Sequence, residues 1–202
     1  MPSLLDLLVP SLLLFIAFAR MGEQYTELLG RSRPLVIEGL KSSFLAVSDG
    51  YDAYLKTYML EAATALVLFF ATLCVLRHPL PCGDTLLIGM LLLGCTQVLW
   101  ESLRFDAHMR QSFISMQQIL YAFMFAAPLL IYAARAGGHR RSKKPLIAAI
   151  ILLVLLTAAI IVLEFMIDRS GINRLLLYLI YALLLCLPAV MALIFRKRSL
   201  TK

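Results

Sequence analysis

The run Leu7-Leu8-Val9-Pro10-Ser11-Leu12-Leu13-Leu14-Phe15-Ile16-Ala17-Phe18-Ala19 leads without a spacer into Arg20-Met21-Gly22-Glu23-Gln24-Tyr25-Thr26-Glu27-Leu28-Leu29-Gly30-Arg31. The first half suits hydrocarbon. The second half carries two arginines, two glutamates and two glycines. An ionised side chain at membrane depth costs on the order of 3 kcal/mol or more, so charge set directly against a span marks a site rather than an incidental surface. Glycine lets the backbone turn sharply and approach a ligand, and the guanidinium group matches phosphate oxygens. The expected occupant of such a site is a lipid headgroup.

Working outward, the whole chain reads as an all-α polytopic membrane protein. Hydrophobic residues make up 61% of its 202 positions, charged residues only 15%, and the mean hydropathy is +0.87. Soluble globular domains do not reach such values. A hydrocarbon core of about 30 Å needs about 20 helical residues. Six segments qualify: Met1 to Ala19, Ala62 to Leu76, Thr85 to Trp100, Gln111 to Ala134, Pro145 to Leu163 and Leu175 to Phe195. The second and third are short unless Tyr58 to Glu61 and Glu101 to Leu103 extend them, with Tyr58 and Trp100 at the interface. The first lacks the positive n-region and small-residue cleavage site of a signal peptide, so it reads as a retained helix.

The formal charge of +7 is not spread as a nucleic-acid binder would spread it. Arg135, Arg140, Arg141, Lys143, Lys144, Arg196, Lys197, Arg198 and Lys202 account for the excess, all in the loop 136–144, its edges and the tail. The positive-inside rule places both in the cytoplasm. Counting back across the spans then puts Arg77 and His78 inside, residues 20–57 outside, Arg104 to Arg110 outside and the N-terminus inside. Both termini are expected in the cytoplasm, and no nucleic-acid partner is expected.

Cys74, Cys82, Cys95 and Cys186 show no metal or redox spacing, and His78, His108 and His139 are dispersed. Neither a metal site nor a cofactor is expected, and the cysteines read as packing residues. His108, in the same outer loop as Arg104 and Asp106, reads as a solvated loop histidine.

Two parts differ in character. Residues 1–135 carry Asp6, Glu61, Gln97, Glu101, Gln117 and Gln118 in or at the ends of their spans, with residues 20–57 as an outer loop. Residues 145–195 read as a plain appended hairpin whose connection, Glu164 to Arg174, holds interfacial anchors. Residues 196–202 form a basic cytoplasmic tail. Within the outer loop, Pro34-Leu35-Val36-Ile37 and Ser43-Phe44-Leu45-Ala46-Val47 are too short to span, and they are open between strands and interfacial helical turns. Gln97, Glu101 and Arg104 fall on one helix face, and Ser115-Met116-Gln117-Gln118 opens the next span on the same side.

The run Asp6-Leu7-Leu8-Val9-Pro10, then Arg20-Met21-Gly22, Glu27 and Gly30-Arg31, then Glu101 with Arg104 and Asp106, then Ile114-Ser115-Met116-Gln117-Gln118-Ile119-Leu120 resembles bacterial prolipoprotein diacylglyceryl transferase over residues 1–135. In that family an Asp-x-x-x-Pro helix leads into an Arg-x-Gly-Asn-Phe signature ending in Glu-x-x-Gly-Arg, followed later by a Ser-Met-Gly-Gln helix start. The resemblance implies a phosphatidylglycerol-binding cavity open to the outer leaflet. There the thiol of a lipoprotein signal-peptide cysteine attacks the glyceryl carbon and glycerol phosphate leaves. It implies that Arg20 holds the phosphate, that Glu27, Glu101 and Arg104 position it and the headgroup, that Gly22 and Gly30 allow close backbone approach, and that Gln118 joins the headgroup site.

Several chemical positions of the family are changed here. Its signature Asn is Glu23, the following Phe is Gln24, and the arginine four residues before the helix glutamate is Gln97. The family's N-terminal half with its His-Gly-Gly motif has no counterpart in this chain. The expectation is therefore a phospholipid-binding, divergent or non-catalytic member working in a membrane complex with a lipoprotein or membrane-protein partner. The alternative is an active phospholipid-dependent transferase completed by a partner subunit that supplies the missing half.

Overall fold

The computed structural model describes residues 4–23, 31–35, 38–78, 81–104, 110–111, 114–139, 142–169 and 173–200. Six of its helices are long and apolar enough to cross a membrane: α1 (Leu4–Met21), α3 (Thr57–Leu76), α4 (Asp84–Leu103), α5 (Met116–His139), α6 (Lys144–Arg169) and α7 (Arg174–Leu200). The protein is a multi-pass helical membrane protein. α3 and α4 gain the length of a full span from the polar flanks Tyr58 to Glu61 and Glu101 to Leu103, as expected. α6 and α7 run longer than their apolar cores. α5 starts five residues later than expected, because Arg110–Gln111 (β4) and Ile114–Ser115 (β5) pair as strands ahead of it.

Between α1 and α3 the polar segment forms a small sheet. Its strands are β1 (Arg31–Pro34), β2 (Ala46–Ser48) and β3 (Ala53–Lys56), with the four-residue helical turn α2 (Glu38–Lys41) between the first two. The order is β1-β3-β2, with β3 antiparallel to both neighbours. Pro34 sits on an edge strand, where its missing N–H costs no ladder bond. The β2–β3 turn is closed by Asp49, whose Oδ1 accepts from the N–H groups of Tyr51 and Asp52 at 3.1 and 2.9 Å, with Gly50 at a φ of 97°. Of the two short apolar runs, the second therefore leads into strand β2, which takes up its Ala46 and Val47. In the first, Pro34 closes β1, and Val36 and Ile37 lie outside the described residues.

The chain divides into two compact units, Met1–Gly89 with Trp100–Arg110, and Met90–Leu99 with Gln111–Lys202, so that α4 contributes to both. In the first, α1 packs along α3. Its inward face is Asp6, Val9, Pro10, Leu13 and Ala17, spaced by three and four residues, while Leu4, Leu8, Leu12, Phe15 and Phe18 point outward. Ala17, Ala62 and Ala65 are fully enclosed, and such small side chains let membrane helices approach closely. Asp6 is 1% exposed, and its carboxylate accepts from the backbone N–H of Gly83 at 2.7 Å and of Leu86 at 3.0 Å. It therefore caps the first turn of α4 from a different helix, where the free N–H groups and helix dipole favour an anion.

In the second unit α5 packs on both α6 and α7. The buried faces Ala149, Leu156, Leu163 and Ile167 of α6, and Leu177, Tyr181, Leu185, Pro188, Ala192 and Phe195 of α7, repeat at helix-packing spacings. The hairpin is not plain. Glu164 lies inside α6 and is 5% exposed, so it is not an interfacial anchor in a connection. Gly94 allows α4 to touch α5: a Cβ there would fall 2.7 Å from the Phe125 backbone nitrogen and 2.8 Å from the Tyr121 carbonyl oxygen.

Candidate functional site

One end of the first unit gathers charge from three helices. Arg20 closes α1, and its Nε lies 2.8 Å from Oε2 of Glu61, near the start of α3. Its Nη1 pairs with Glu23, just beyond α1. Glu61 stands where it does because β3 runs directly into α3, so the sheet sets the depth at which that helix begins. Its side chain is 1% exposed and that of Arg20 20%. At the other end of α4, Glu101 and Arg104 are both buried, with Arg104 Nη1 3.9 Å from Glu101 Oε2. The Glu61 carboxylate lies within electrostatic reach of Arg20, Arg104, Glu101 and Glu23 together. Of Arg20, Glu27, Glu101 and Arg104, expected together although about 80 residues separate the two pairs, Glu27 lies outside the described residues, and the other three lie around Glu61 at one end of this unit.

The backbone beneath the cluster is fixed by the sheet. α4 ends at Leu103, and the capping residue Arg104 is extended (φ −73°, ψ 135°) and forms an antiparallel bridge to Ser32 of β1. The buried Ser32 hydroxyl accepts from Leu55 N–H at 2.7 Å and donates to the Arg33 carbonyl at 2.9 Å. Trp100 Nε1 donates to Thr64 Oγ1 at 3.1 Å, tying α4 to α3 one turn deeper. Burial of this kind holds guanidinium and carboxylate groups in defined rotamers, the condition for recognising a ligand with little reorganisation.

Arg20 is ion-paired with Glu61 through Nε, without hydrogen-bond geometry, and bonded to Glu23 through Nη1, and its Nη2 has no hydrogen-bond partner among the described residues. A guanidinium oriented by carboxylates on one edge, partly exposed and with donors left on the other, can give charge-assisted bonds to a phosphate or carboxylate. The local charge tempers this. Glu23, Glu61 and Glu101 outnumber Arg20 and Arg104 among the described residues, so an anion gains its bonds against a carboxylate-rich background.

Comparison of the chain with protein-family models, curated proteins and solved structures finds no match. The site therefore rests on its own geometry.

The other expected residues fall differently. Glu27 and Gly30 lie outside the described residues, as do Asp106 and His108. Gly22 follows α1 with its N–H on the Phe18 carbonyl at 3.0 Å, and a Cβ there would meet only ordinary contacts at 3.5 and 3.6 Å, so the fold itself does not require glycine. Gln118 belongs to the second unit. Ser115 and Gln118 form a reciprocal cap on α5: the Gln118 N–H bonds Ser115 Oγ at 3.0 Å, and the Ser115 N–H bonds Gln118 Oε1 at 3.2 Å. The Gln118 amide nitrogen then donates to Glu164 and, at 3.2 Å, to Tyr181. Its hydrogen bonds thus serve helix capping and a buried polar contact. The buried Gln97 likewise supplies an uncharged amide in the α4 span. Glu61 was not expected among the site residues. The only signal was a carboxylate at the polar start of a span, and its partnership with Arg20 is visible only once the sheet folds α3 back against α1. Among the described residues, no group of three or more His, Cys, Asp or Glu is placed to hold a metal ion.

Proposed function

We propose that this chain is a phospholipid-binding protein of the bacterial inner membrane, similar in its site to prolipoprotein diacylglyceryl transferase, that works in a membrane complex without turning over substrate alone. The observation that carries this reading is Arg20: partly exposed, clamped by Glu61 and Glu23, and with Nη2 unbonded among the described residues. With Arg104 in the same cluster it offers an anionic headgroup such as that of phosphatidylglycerol charge-assisted donors, while acyl chains gain burial against the apolar helix faces without any specific residue. Both termini lie in the cytoplasm on this reading, and the sheet and the Arg20 cluster face the outer leaflet.

Gln97 argues for binding without turnover. In the family the corresponding arginine offers positive charge to the departing phosphate, and a preorganised charge of that kind is commonly worth about 3 kcal/mol in the transition state. An amide cannot replace it. The test is native mass spectrometry of lipid retained by the purified chain and by Arg20→Ala, together with a mass-shift assay for diacylglyceryl transfer to a peptide bearing a lipoprotein signal cysteine. Retention of phosphatidylglycerol by the wild type, its loss in Arg20→Ala, and no mass shift are the expected results. Retention indifferent to Arg20→Ala would reject the site, and turnover by the purified chain would replace the binding role with the transferase.

A further inference from the structure

The sheet of the first unit carries an exposed aromatic ring at the depth where α3 enters the membrane. We propose that the corner Ser42 to Leu45 is an interfacial anchor. The Phe44 side chain sits in the boundary between headgroups and acyl chains of the bilayer that α3 spans. This surface is built by the sheet and α3 alone and does not depend on the Arg20 site.

Depth is set by the chain itself. β3 ends at Lys56 and α3 begins at Thr57, with no residue between them. Lys56 holds the corner at that level twice: its N–H donates to the Leu45 carbonyl at 2.8 Å and its Nζ to the Phe44 carbonyl at 3.1 Å. Phe44 therefore stands beside the first turn of a membrane span, and it is 79% exposed. Met59, within that turn, is exposed as well. A lone apolar side chain on a water-facing surface needs no partner, but one fixed at the mouth of a span meets lipid.

The corner is also suited to a poorly hydrated boundary. The Ser43 carbonyl accepts from the Ala46 N–H at 3.0 Å, so with the two bonds from Lys56 the carbonyls of Ser43, Phe44 and Leu45 are all taken up within the fold. The Ser43 N–H and hydroxyl both donate to the Leu40 carbonyl, at 3.1 and 2.7 Å. Main-chain groups left unsatisfied in an apolar surrounding cost several kcal/mol, and here those carbonyls enter it already bonded.

Charge separates the two ends of the β2–β3 hairpin. At the α3 end Lys56 has no ion pair among the described residues, and Arg31 is its register partner on β1. Lys41 and Glu38 pair with each other at 3.3 Å. The far end, the β2–β3 turn, carries Asp49, Asp52 and the 98% exposed Tyr51. Lipid phosphates attract the first end and repel the second, so of the two exposed aromatics Phe44 takes the membrane and Tyr51 stays in water.

Spin labels on the full chain in vesicles of phosphatidylethanolamine and phosphatidylglycerol test this. Phe44→Cys and Tyr51→Cys are labelled in a background with Cys74, Cys82, Cys95 and Cys186 replaced by alanine. The label at 44 should collide more with oxygen, which concentrates in the bilayer, than with a water-soluble nickel chelate, and the label at 51 should show the reverse. A measurement on the unsubstituted chain covers a folding failure of that background. A phospholipid with a diazirine near the top of an acyl chain should, on illumination, label Ser43 to Leu45 and not Gly50 to Asp52, as located by fragmentation mass spectrometry. If the nickel chelate reached position 44 as freely as 51, or the photolabel were confined to the helices, the corner would lie in water and the proposal would fall, leaving Phe44 to a protein partner.

Discussion

Arg20 Nε lies 2.8 Å from Glu61 Oε2, joining the last turn of α1 to the first turns of α3, with the arginine partly exposed and the glutamate closed off from solvent. The two sides of the pair are therefore unequal. Arg20→Ala leaves a buried carboxylate without its nearest cation, a loss expected to cost about 3 kcal/mol. Glu61→Ala should cost less, because the guanidinium can turn towards Glu23 and water. The double substitution should recover part of the Arg20→Ala loss. Thermal unfolding of the three variants in detergent measures this, and strictly additive effects would mean the two groups are not coupled.

Asp6 caps α4 through two backbone N–H groups. Asp6→Ala removes the acceptor for both and should lower stability by about 2 kcal/mol, the upper range for a lost helix cap. Asp6→Asn keeps one acceptor oxygen and loses the charge that favours the helix N-terminus, so about 1 kcal/mol is expected. The same unfolding assay reads both. Equal losses would show that the charge contributes nothing.

Glycine divides into positions the fold needs and positions it does not. Gly94→Ala would push a methyl into the backbone of α5 at Tyr121 and Phe125, which cannot yield as a side chain can, and should destabilise by about 2 kcal/mol. Gly22→Ala meets only ordinary contacts and should leave the unfolding temperature unchanged. If Gly22→Ala nonetheless weakened phosphatidylglycerol retention, the glycine would be a ligand-facing position. Unchanged retention would remove it from the site.

The six spans were legible in the sequence because length and apolar composition fix them, and lipid-facing residues such as Phe15, Leu155 and Leu183 need no partner to be read correctly. The grouping of Arg20 with Glu101 and Arg104 was also legible, since charges at one membrane depth avoid lipid by meeting each other. Glu61 and Glu164 were not. Both sit beside apolar neighbours, and their burial depends on contacts from distant segments: a sheet that sets the start of α3, and a capping glutamine and a tyrosine on two other helices. The sheet itself was ambiguous because its strands are three or four residues long, too short for a periodicity to distinguish strand from turn.

Topology supplies the last prediction. Ser42 follows one span and Lys143 follows four, so with six spans the two positions must lie on opposite faces of the membrane, and Cys82, after two spans, must share the side of Lys143. The basic loop assigns that side to the cytoplasm by the positive-inside rule. Lys143 is a better probe than Ser142, whose N–H is bonded to the Gly137 carbonyl at 3.0 Å and whose residue is only half-exposed. In a background with Cys74, Cys82, Cys95 and Cys186 replaced by alanine, Ser42→Cys should react with an impermeant maleimide applied outside intact cells, and Lys143→Cys only after permeabilisation. A chain retaining Cys82 alone, exposed in its loop, should behave as Lys143→Cys does. Labelling of Ser42→Cys and Lys143→Cys from the same side would mean that one of the intervening helices does not cross the membrane. Reversal of both would leave the spans intact and turn the Arg20 cluster towards the cytoplasm, where the outer-leaflet lipid reading fails.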